Sequence, residues 1–164
     1  MKITREWAMP NHNTFSIKPI RNFIGDVPYH SVDPFARNSE LATITNDLNP
    51  EFDTNYNMDA LKFLKKFNDQ WADMVFFDPP YSLRQLKECY DGIGVSMTQR
   101  ESQHFFSDLK NEIARITSQG AEVLSFGWNS VGMGKKRGFE ILEIMLVSHG
   151  GIHNDTICVR EVKK

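Results

Sequence analysis

The stretch Met74-Val75-Phe76-Phe77-Asp78-Pro79-Pro80-Tyr81-Ser82 decides how the rest of this chain is organised. Its first four residues are apolar without polar alternation, a pattern typical of a strand that is buried on both faces of a parallel sheet. Two prolines then end the strand, because each lacks a backbone N–H and fixes its own φ angle. The Asp78 carboxylate, the Pro79 carbonyl and the Tyr81 ring are therefore expected at the carboxyl end of a central strand, where open α/β sheets bind ligands.

The composition predicts one globular domain that spans residues 1–164. A formal net charge of -2 provides no global basic field, so that nucleic-acid binding would require a local patch. No apolar segment approaches the ~20 residues of a membrane span, and no signal peptide is recognisable. Cys89 and Cys158 match no metal or redox spacing. We therefore expect a cytoplasmic protein with reduced thiols and no membrane partner.

Short strand patterns alternate with helical patterns along the chain. Strands are predicted at 30–35, 43–48, 55–58, 74–77, 121–126, 139–148 and 155–162. Helices are predicted at 61–67, with Asp59 as N-cap, and at 98–118, where Thr98 and Glu101 form a capping box. Residues 1–30, apart from a helical turn at 20–24, and residues 82–95 are expected to be irregular, the latter with the length of a lid or substrate loop. This order predicts a mainly parallel α/β sheet that ends in an antiparallel hairpin at Gly150-Gly151.

The sequence resembles the S-adenosylmethionine-dependent DNA amino-methyltransferases, and among them the adenine-N6 group. The resemblance is carried by the acids at the ends of early strands, the Asp-Pro-Pro-Tyr motif and the terminal hairpin. The resemblance runs from Thr14 to the end of the chain. It implies a Rossmann-like class I methyltransferase fold, S-adenosylmethionine as cofactor and DNA as substrate. The family's first motif, Asp-Pro-Phe-x-Gly-x-Gly, is represented by Asp33-Pro34-Phe35-Ala36-Arg37-Asn38-Ser39. Arg37 and Ser39 replace the glycines, and Asn38 is expected to supply part of their freedom to adopt a positive φ.

The resemblance also assigns residues to the cofactor. It implies that Asp47 accepts the ribose hydroxyls and that Asp59 accepts the adenine amine, with Ala60 beside the ring. The other cofactor contacts that it implies are Phe15, Ile17, Lys18, Asp33, Pro34, Phe35, Ala36, Leu48 and Asp78. A structural alternative stays open for both acids, because Asp47 precedes Asn-Pro as a turn former would and Asp59 suits a helix N-cap.

The catalytic motif, Asp78 to Tyr81 with Pro79 and Pro80 between them, suits the chemistry of an exocyclic amine. Such an amine is a poor nucleophile because its lone pair is delocalised into the aromatic ring. The Asp78 carboxylate and the Pro79 carbonyl can accept its two N–H groups and direct the lone pair at a methyl donor. Tyr81 would stack on a base that has left the duplex. The alternative is that Asp78 merely caps a turn after a core strand.

Little of the chain is left for recognising DNA. The residues predicted to contact it are Arg84, Lys135, Lys136 and Arg137, although a charge run can equally be a solvated loop end. Recognition of a site would then be minimal or relaxed, or a second copy of the chain or another subunit would supply it. A small methyltransferase of this kind would suit a phage or prophage. Two further functions stay open: a catalytically silent module that binds cofactor or a partner, and methylation of an amine in RNA or protein.

Two features near the end of the chain complete the predictions. Trp128 is either core or pocket wall, with the core expected. His149 and His153 lie across the Gly-Gly turn from each other, and no cysteine or carboxylate completes a metal site around them. We therefore predict that they are not metal ligands.

Overall fold

The computed structural model describes residues 1–94 and 99–164. Its sheet has eight strands in the order β1-β7-β8-β6-β5-β2-β3-β4. The strands are β1 Lys2–Trp7, β2 Ser31–Asp33, β3 Ile44–Asp47, β4 Tyr56–Asn57, β5 Ala72–Phe77, β6 Thr117–Gly127, β7 Phe139–Ser148 and β8 Thr156–Lys163. The helices are α1 Lys18–Ile24, α2 Ala60–Leu64, α3 Leu83–Gly92 and α4 Gln99–Ile116, with 3-10 turns at Thr14–Ser16 and Lys135–Arg137.

The topology confirms the predicted Rossmann-like class I methyltransferase fold, with a mainly parallel sheet and a C-terminal antiparallel hairpin. β5 pairs in parallel with β2 on one side and with β6 on the other, while β8 runs antiparallel to both β6 and β7. The strand order reverses between β2 and β5. Ligands of open α/β sheets bind at the carboxyl ends of the strands beside such a reversal. The fold therefore points to the end of β5 as the site.

The central strand β5 faces two hydrophobic cores, as its uninterrupted apolar run predicts. Val75 and Phe77 pack into a core shared with α2, α3 and α4. Met74 and Phe76 pack into a second core with α1 on the opposite face. Each large apolar side chain buried in this way stabilises the fold by roughly 1.5–3 kcal/mol. Both faces of β5 are thus anchored, which fixes the direction of the Asp78 segment that follows.

The amino-terminal region is more regular than predicted. β1 pairs in parallel with β7, from Lys2 opposite Glu143 to Trp7 opposite Ser148. Most of its residues are exposed, so the strand carries no apolar face that a sequence pattern could reveal. α1 begins at Lys18, with a proline in its first turn, and contributes its buried side chains to the second core.

Residues 83–92, predicted to be a loop, form helix α3 instead. The Ser82 hydroxyl accepts a hydrogen bond from the Gln85 N–H at 3.2 Å and caps the helix. Leu86 and Tyr90, four residues apart on one helical face, are buried in the core. The loop prediction was wrong, since this pair of apolar residues marks one face of an amphipathic helix. The proposed Thr98 cap of α4 lies outside the described residues.

The helix start predicted at Asp59 is confirmed, because its carboxylate accepts the Lys62 N–H at 3.0 Å at the beginning of α2. The strand predicted at 139–148 matches β7 residue for residue. None of the helices in the described parts of the chain combines the length and the hydrophobicity of a membrane span.

Candidate active site

Three carboxylates meet at the carboxyl edge of the sheet. Asp33 ends β2, Asp47 ends β3 and Asp78 directly follows β5. Burial raises the pKa of Asp33 well above its usual range, and the nearby charges of Asp78 and Asp47 raise it further. The parallel topology has therefore brought together acids that lie far apart in the sequence. Such a cluster favours a ligand that carries positive charge or hydrogen-bond donors.

Among the described residues, Asp33 is the member of this cluster that has a buried oxygen without a hydrogen-bond partner. Its Oδ1 atom accepts the Phe35 N–H at 3.0 Å. Its Oδ2 atom is buried and has no hydrogen-bond partner within the described part of the chain. Leaving a buried acceptor unsatisfied costs about 1–3 kcal/mol, and more for a charged group. Asp33 therefore needs either a proton or a donor that a ligand supplies.

Asp47 holds two loops together at the edge of the sheet. Its Oδ2 atom accepts the Arg37 N–H at 3.0 Å, and its Oδ1 atom accepts the Asn49 N–H at 2.9 Å. Asp47 thus does form a turn, as its structural alternative predicted. A carboxylate offers about four lone-pair sites, so contact with ribose hydroxyls is still compatible with these bonds. The positive φ falls at Arg37, at 50°, rather than at Asn38.

Asp59 also has both oxygens engaged. Oδ1 caps α2, and Oδ2 accepts the hydroxyl of Tyr90 from α3 at 2.5 Å. This second bond ties two helices together across the mouth of the site. Ala60, at the start of α2, is only 4% exposed. The implied contact of Asp59 with an adenine amine stays a prediction, and that amine would compete with Tyr90.

Asn46, which was not predicted from the sequence, braces the loops that carry the acids. Its side-chain amide donates to the Pro34 carbonyl at 3.1 Å and to the Met58 carbonyl at 3.0 Å, and its Oδ1 atom accepts the Met58 N–H at 3.1 Å. Asn46 is fully buried, and its own carbonyl accepts the Ala36 N–H. The residue therefore sets the spacing between the Asp33 and Asp59 segments. A polar residue inside a strand predicted to be buried was the signal for it.

Asp78 and Tyr81 contact each other directly. The Tyr81 hydroxyl donates to Asp78 Oδ1 at 2.7 Å. Burial raises the pKa of Asp78, whereas the bond from Tyr81, the nearby Thr14 hydroxyl and the charge of Arg37 lower it. Burial and the Asp78 charge raise the pKa of Tyr81, so its hydroxyl stays a neutral donor. The free side of Asp78 keeps lone pairs for a second donor.

A cleft of about 400 Å³ opens beside Tyr81. One wall is Trp128, whose ring stands edge-on to that of Tyr81 with centroids 5.5 Å apart. Trp128 is 42% exposed, so the expectation that it belongs to the core was wrong. The reason is that β6 ends at Gly127, and the next side chain stands above the edge of the sheet. Other residues that line the cleft are Thr14, Ile17, Gln85, His149 and Thr156.

His149 fixes the hairpin side of this cleft. Its Nδ1 atom lies 2.8 Å from the Ala8 carbonyl and its Nε2 atom 2.8 Å from the Thr156 hydroxyl. Since a carbonyl can only accept, Nδ1 carries the proton when the ring is neutral, and Nε2 accepts from Thr156. His149 thus links the terminal hairpin to the segment that follows β1.

Several residues predicted to bind cofactor serve the frame of the site. Phe15 packs against Phe76 and Phe126 at centroid distances of 5.4 and 5.0 Å. Those buried in the two cores or packed against them are Phe15, Ile17, Phe35, Leu48 and Ala60. Ala36 is also buried. Pro34 is buried and Lys18 is exposed at the start of α1. Their cofactor contacts stay predictions.

The basic residues do not form one patch. Arg84, in the first turn of α3, is exposed and pairs with Glu88 at 2.8 Å. The run Lys135–Arg137 precedes β7, which is parallel to β6 and therefore starts at the amino edge of the sheet, opposite Asp78. Arg137 donates to Asn111 and to the Ser107 hydroxyl on α4. A nucleic-acid contact by this run stays a prediction.

The acid cluster suits the donors that S-adenosylmethionine carries. This cofactor has an ammonium group, a sulfonium, two ribose hydroxyls and an adenine amine, and each seeks an acceptor or a negative charge. The unpartnered Asp33 Oδ2 atom is the observation that fits best, because it lacks a donor that the ammonium would provide. Asp47 and Asp59 retain spare lone pairs for the hydroxyls and the amine.

Comparison with known proteins bears on the fold. No protein-family model matches this sequence, and a search of curated proteins finds no significant match. Among solved structures, it resembles TrmN from Thermus thermophilus with a TM-score of 0.57 and 14% identity, over 88% of this chain and 47% of TrmN. It resembles SMU.776, a proposed methyltransferase complexed with SAH, with a TM-score of 0.53 and 12% identity, over 88% of this chain and 49% of that protein.

A third structure has a length similar to that of this chain. An rRNA methylase from Streptococcus thermophilus gives a TM-score of 0.53 at 11% identity, over 96% of this chain and 100% of the methylase. The present chain thus spans about half the length of TrmN and SMU.776 and all of the rRNA methylase. At such low identity, the likeness shows the fold alone, which is the methyltransferase fold that the topology defines.

Proposed function

We propose that this protein is an S-adenosylmethionine-dependent methyltransferase that acts on an exocyclic amine, with adenine N6 of DNA as its substrate. The observation that carries the proposal is the meeting of Asp78 with the unpartnered Asp33 at the switch point of the sheet. The Asp-Pro-Pro-Tyr segment supplies acceptors for an amine next to acids that suit the cofactor. SMU.776, which shares the fold, is complexed with SAH.

In this proposal the chain's own residues hold two ligands. Asp33, Asp47 and Asp59 would hold the cofactor, which supplies an electrophilic methyl group on sulfur. Asp78 and the Pro79 carbonyl each accept one N–H of the substrate amine, so that its lone pair points at the methyl group. After transfer the nitrogen is positively charged and carries an extra proton. The Asp78 carboxylate can take this proton, since burial raises the pKa of Asp78.

The substrate ring would enter the cleft beside Tyr81. Tyr81 and Trp128 provide aromatic surface there, and Thr14, Gln85 and Thr156 provide polar side chains. A nucleobase has both a π face and polar edges, so these walls match its chemistry. The Tyr81 hydroxyl occupies only one side of Asp78 and leaves lone pairs for the amine. A protein side-chain amide lacks the ring that would use this aromatic surface.

RNA is the second candidate substrate. The similarity in fold to an rRNA methylase, over 96% of this chain and 100% of the methylase, favours RNA. The resemblance of the sequence motifs to those of DNA amino-methyltransferases favours DNA. In either case we propose that a second copy of the chain or another subunit takes part in choosing the site, because the described basic residues form no single patch. We also propose that the protein is a cytoplasmic enzyme of a phage or prophage.

Transfer of labelled methyl groups tests the function. The assay would compare DNA and RNA duplexes and single strands of equal sequence, with wild type, Asp78→Ala and Asp73→Ala. Asp73 is the matched control, because it lies on the same strand but is exposed and pairs with His30. We expect transfer to DNA by wild type and by the Asp73 variant, and a loss of about 100-fold or more in the Asp78 variant.

Other results would change the conclusion in defined ways. Equal rates in wild type and Asp78→Ala would refute the mechanism. Transfer to RNA alone would make RNA the substrate. Calorimetric titration that detects no binding of S-adenosylmethionine would reject the enzyme and favour the silent module.

A further inference from the structure

Arg37 occupies a backbone conformation that normally belongs to glycine. Its φ angle is 50°, and it stands where the resembling family has the first glycine of its cofactor loop. A non-glycine residue in the left-handed region costs on the order of 1 kcal/mol. Its N–H donates to Asp47 at 3.0 Å, which helps to hold this conformation. A large cation is thus kept at a strained position where glycine would be the easier choice.

The guanidinium of Arg37 lies at the mouth of the acid cluster. Its Nη1 atom donates to the His12 carbonyl at 3.2 Å, and its Cζ atom is 5.7 Å from the centre of the Phe52 ring. These contacts place it between the segment before Thr14 and the loop after β3. Its charge is close enough to oppose the rise in the Asp78 pKa that burial causes. A guanidinium has five N–H donors, so one bond to a carbonyl leaves several for a ligand.

The position of the reacting methyl group determines which part of the cofactor lies near Arg37. The methyl group has to point at Asp78, and the ribose is assigned to Asp47 at the end of β3. The amino-acid portion would then lie beside the loop that contains Asp33 and Arg37. Its ammonium group can supply the donor that Asp33 Oδ2 lacks.

The carboxylate of that amino-acid portion needs a cation in this setting. Three carboxylates, those of Asp33, Asp47 and Asp78, surround the site and would repel it. The Arg37 backbone N–H, which a glycine loop could offer to a ligand, is already bonded to Asp47. The Arg37 side chain supplies a positive charge and N–H donors, whereas the backbone N–H of this residue is already engaged. A bidentate guanidinium–carboxylate pair is also stronger than neutral hydrogen bonds.

We propose that the guanidinium of Arg37 binds the carboxylate of the cofactor's amino-acid portion and thereby selects adenosine ligands that carry this portion. The inference rests on the proposed function, since it presumes a cofactor of this class. It explains why a cation replaces the glycine of the loop.

Calorimetric titration with two compounds tests the proposal without any enzymatic assay. S-adenosylhomocysteine has the amino-acid portion, and 5′-methylthioadenosine lacks it but keeps the ribose and the adenine. Both would be titrated into wild type, Arg37→Gly, Arg37→Gln and Arg37→Lys. Gln70→Gly is the matched control, because Gln70 is exposed and is also a non-glycine residue with positive φ, at 53°.

We expect Arg37→Gly and Arg37→Gln to bind S-adenosylhomocysteine at least ~10-fold more weakly, which is the range of one charge-assisted pair. Affinity for 5′-methylthioadenosine should change less than about 2-fold. The affinity of Arg37→Lys for S-adenosylhomocysteine should lie between that of wild type and that of Arg37→Gly. The affinity of Gln70→Gly should equal that of wild type. If Arg37→Gly and Arg37→Gln lose affinity for S-adenosylhomocysteine and for 5′-methylthioadenosine equally, Arg37 has no such role. The same holds if neither variant loses affinity for S-adenosylhomocysteine. If wild type binds neither compound, the proposed function falls together with this inference.

Discussion

Asp33 combines complete burial with an unpartnered oxygen, and this is the strongest local conflict in the described chain. Burial raises the pKa of Asp33, so the native state binds its proton more tightly than the unfolded state does. Between the unfolded pKa, about 3.9, and the raised folded value, stability therefore falls as pH rises. A carboxylate kept at this position despite that loss is typical of a residue retained for binding.

Asp33→Asn should accordingly raise the free energy of unfolding at neutral pH. The gain should shrink toward pH ~4, because the wild-type carboxyl is then protonated in both states, with a slope of at most about 1.4 kcal/mol per pH unit. Urea titrations at a series of pH values would measure it. A variant that is less stable than wild type at pH 7 would show that Asp33 is structural. The same variant should bind S-adenosylhomocysteine more weakly.

Tyr81 tunes the acid that it contacts. Burial raises the pKa of Asp78, and the hydroxyl bond from Tyr81 partly offsets this rise. Tyr81→Phe should therefore raise the pKa of Asp78 further while it keeps the aromatic surface. Since Asp78 has to be ionised to accept two donors, the acidic limb of the pH–rate profile should move to higher pH. Tyr29→Phe, at a residue that is 78% exposed, is the control. If the acidic limb of Tyr81→Phe lies at the same pH as that of wild type, Tyr81 does not lower the pKa of Asp78.

At the scale of elements, β3 is a short strand that carries the brace of the site. Asn46→Ala would remove three side-chain hydrogen bonds and leave the buried Pro34 carbonyl and the part-buried Met58 N–H and carbonyl without these partners. We expect a loss of about 2–4 kcal/mol in the free energy of unfolding, together with weaker cofactor binding. Denaturant unfolding with Asn38→Ala as an exposed control would measure it. A loss below about 1 kcal/mol would mean that water replaces the amide.

Helix α3 is tied to Asp59 by one hydrogen bond that a substitution can remove. Tyr90→Phe deletes the hydroxyl that binds Asp59 but keeps the ring in the core. We expect the free energy of unfolding to fall by about 1–2 kcal/mol, because the lost bond involves a charged acceptor. We also expect tighter binding of S-adenosylhomocysteine, since Asp59 Oδ2 is then no longer shared. Weaker binding would instead show that α3 positions the ligand.

At the scale of the whole molecule, charge and topology limit how nucleic acid can bind. The net charge is -2, and the basic run before β7 joins the edge of the sheet opposite Asp78. Arg84 lies in the helix that directly follows the catalytic motif. This arrangement favours the solvated-loop interpretation of Lys135 and Lys136, and it favours Arg84 as a phosphate contact.

The salt dependence of DNA binding distinguishes these residues. Arg84→Ala should reduce the slope of log affinity against log salt by about one, because one phosphate contact is lost. A double change of Lys135 and Lys136 to alanine should leave the slope within experimental error. A reduction by about two in the double variant would instead show that DNA reaches around to the far edge.

Much of the framework could be predicted because it depends on neighbours in the sequence. The apolar run before Asp78 and the two prolines identify a buried strand and its end, since burial on both faces and a missing N–H are local properties. Asp59 caps its helix through a residue three positions away. Helix α3 was missed because charged and polar side chains surround its few apolar ones, although Leu86 and Tyr90 share one face. β1 was missed because an exposed edge strand has no apolar face.

The sequence by itself therefore determined the central strand, the acids that follow the strands and the final hairpin. Only the tertiary structure decided that Asp33 Oδ2 is left without a partner, that Arg37 rather than Asn38 takes the positive φ, and that Trp128 stands in a cleft. It also decided that the Lys135–Arg137 run joins the edge opposite Asp78. The physical reason is that these properties depend on which strands are neighbours and in which direction they run. Pairing between distant segments sets both, whereas caps, prolines and apolar runs act within a few residues.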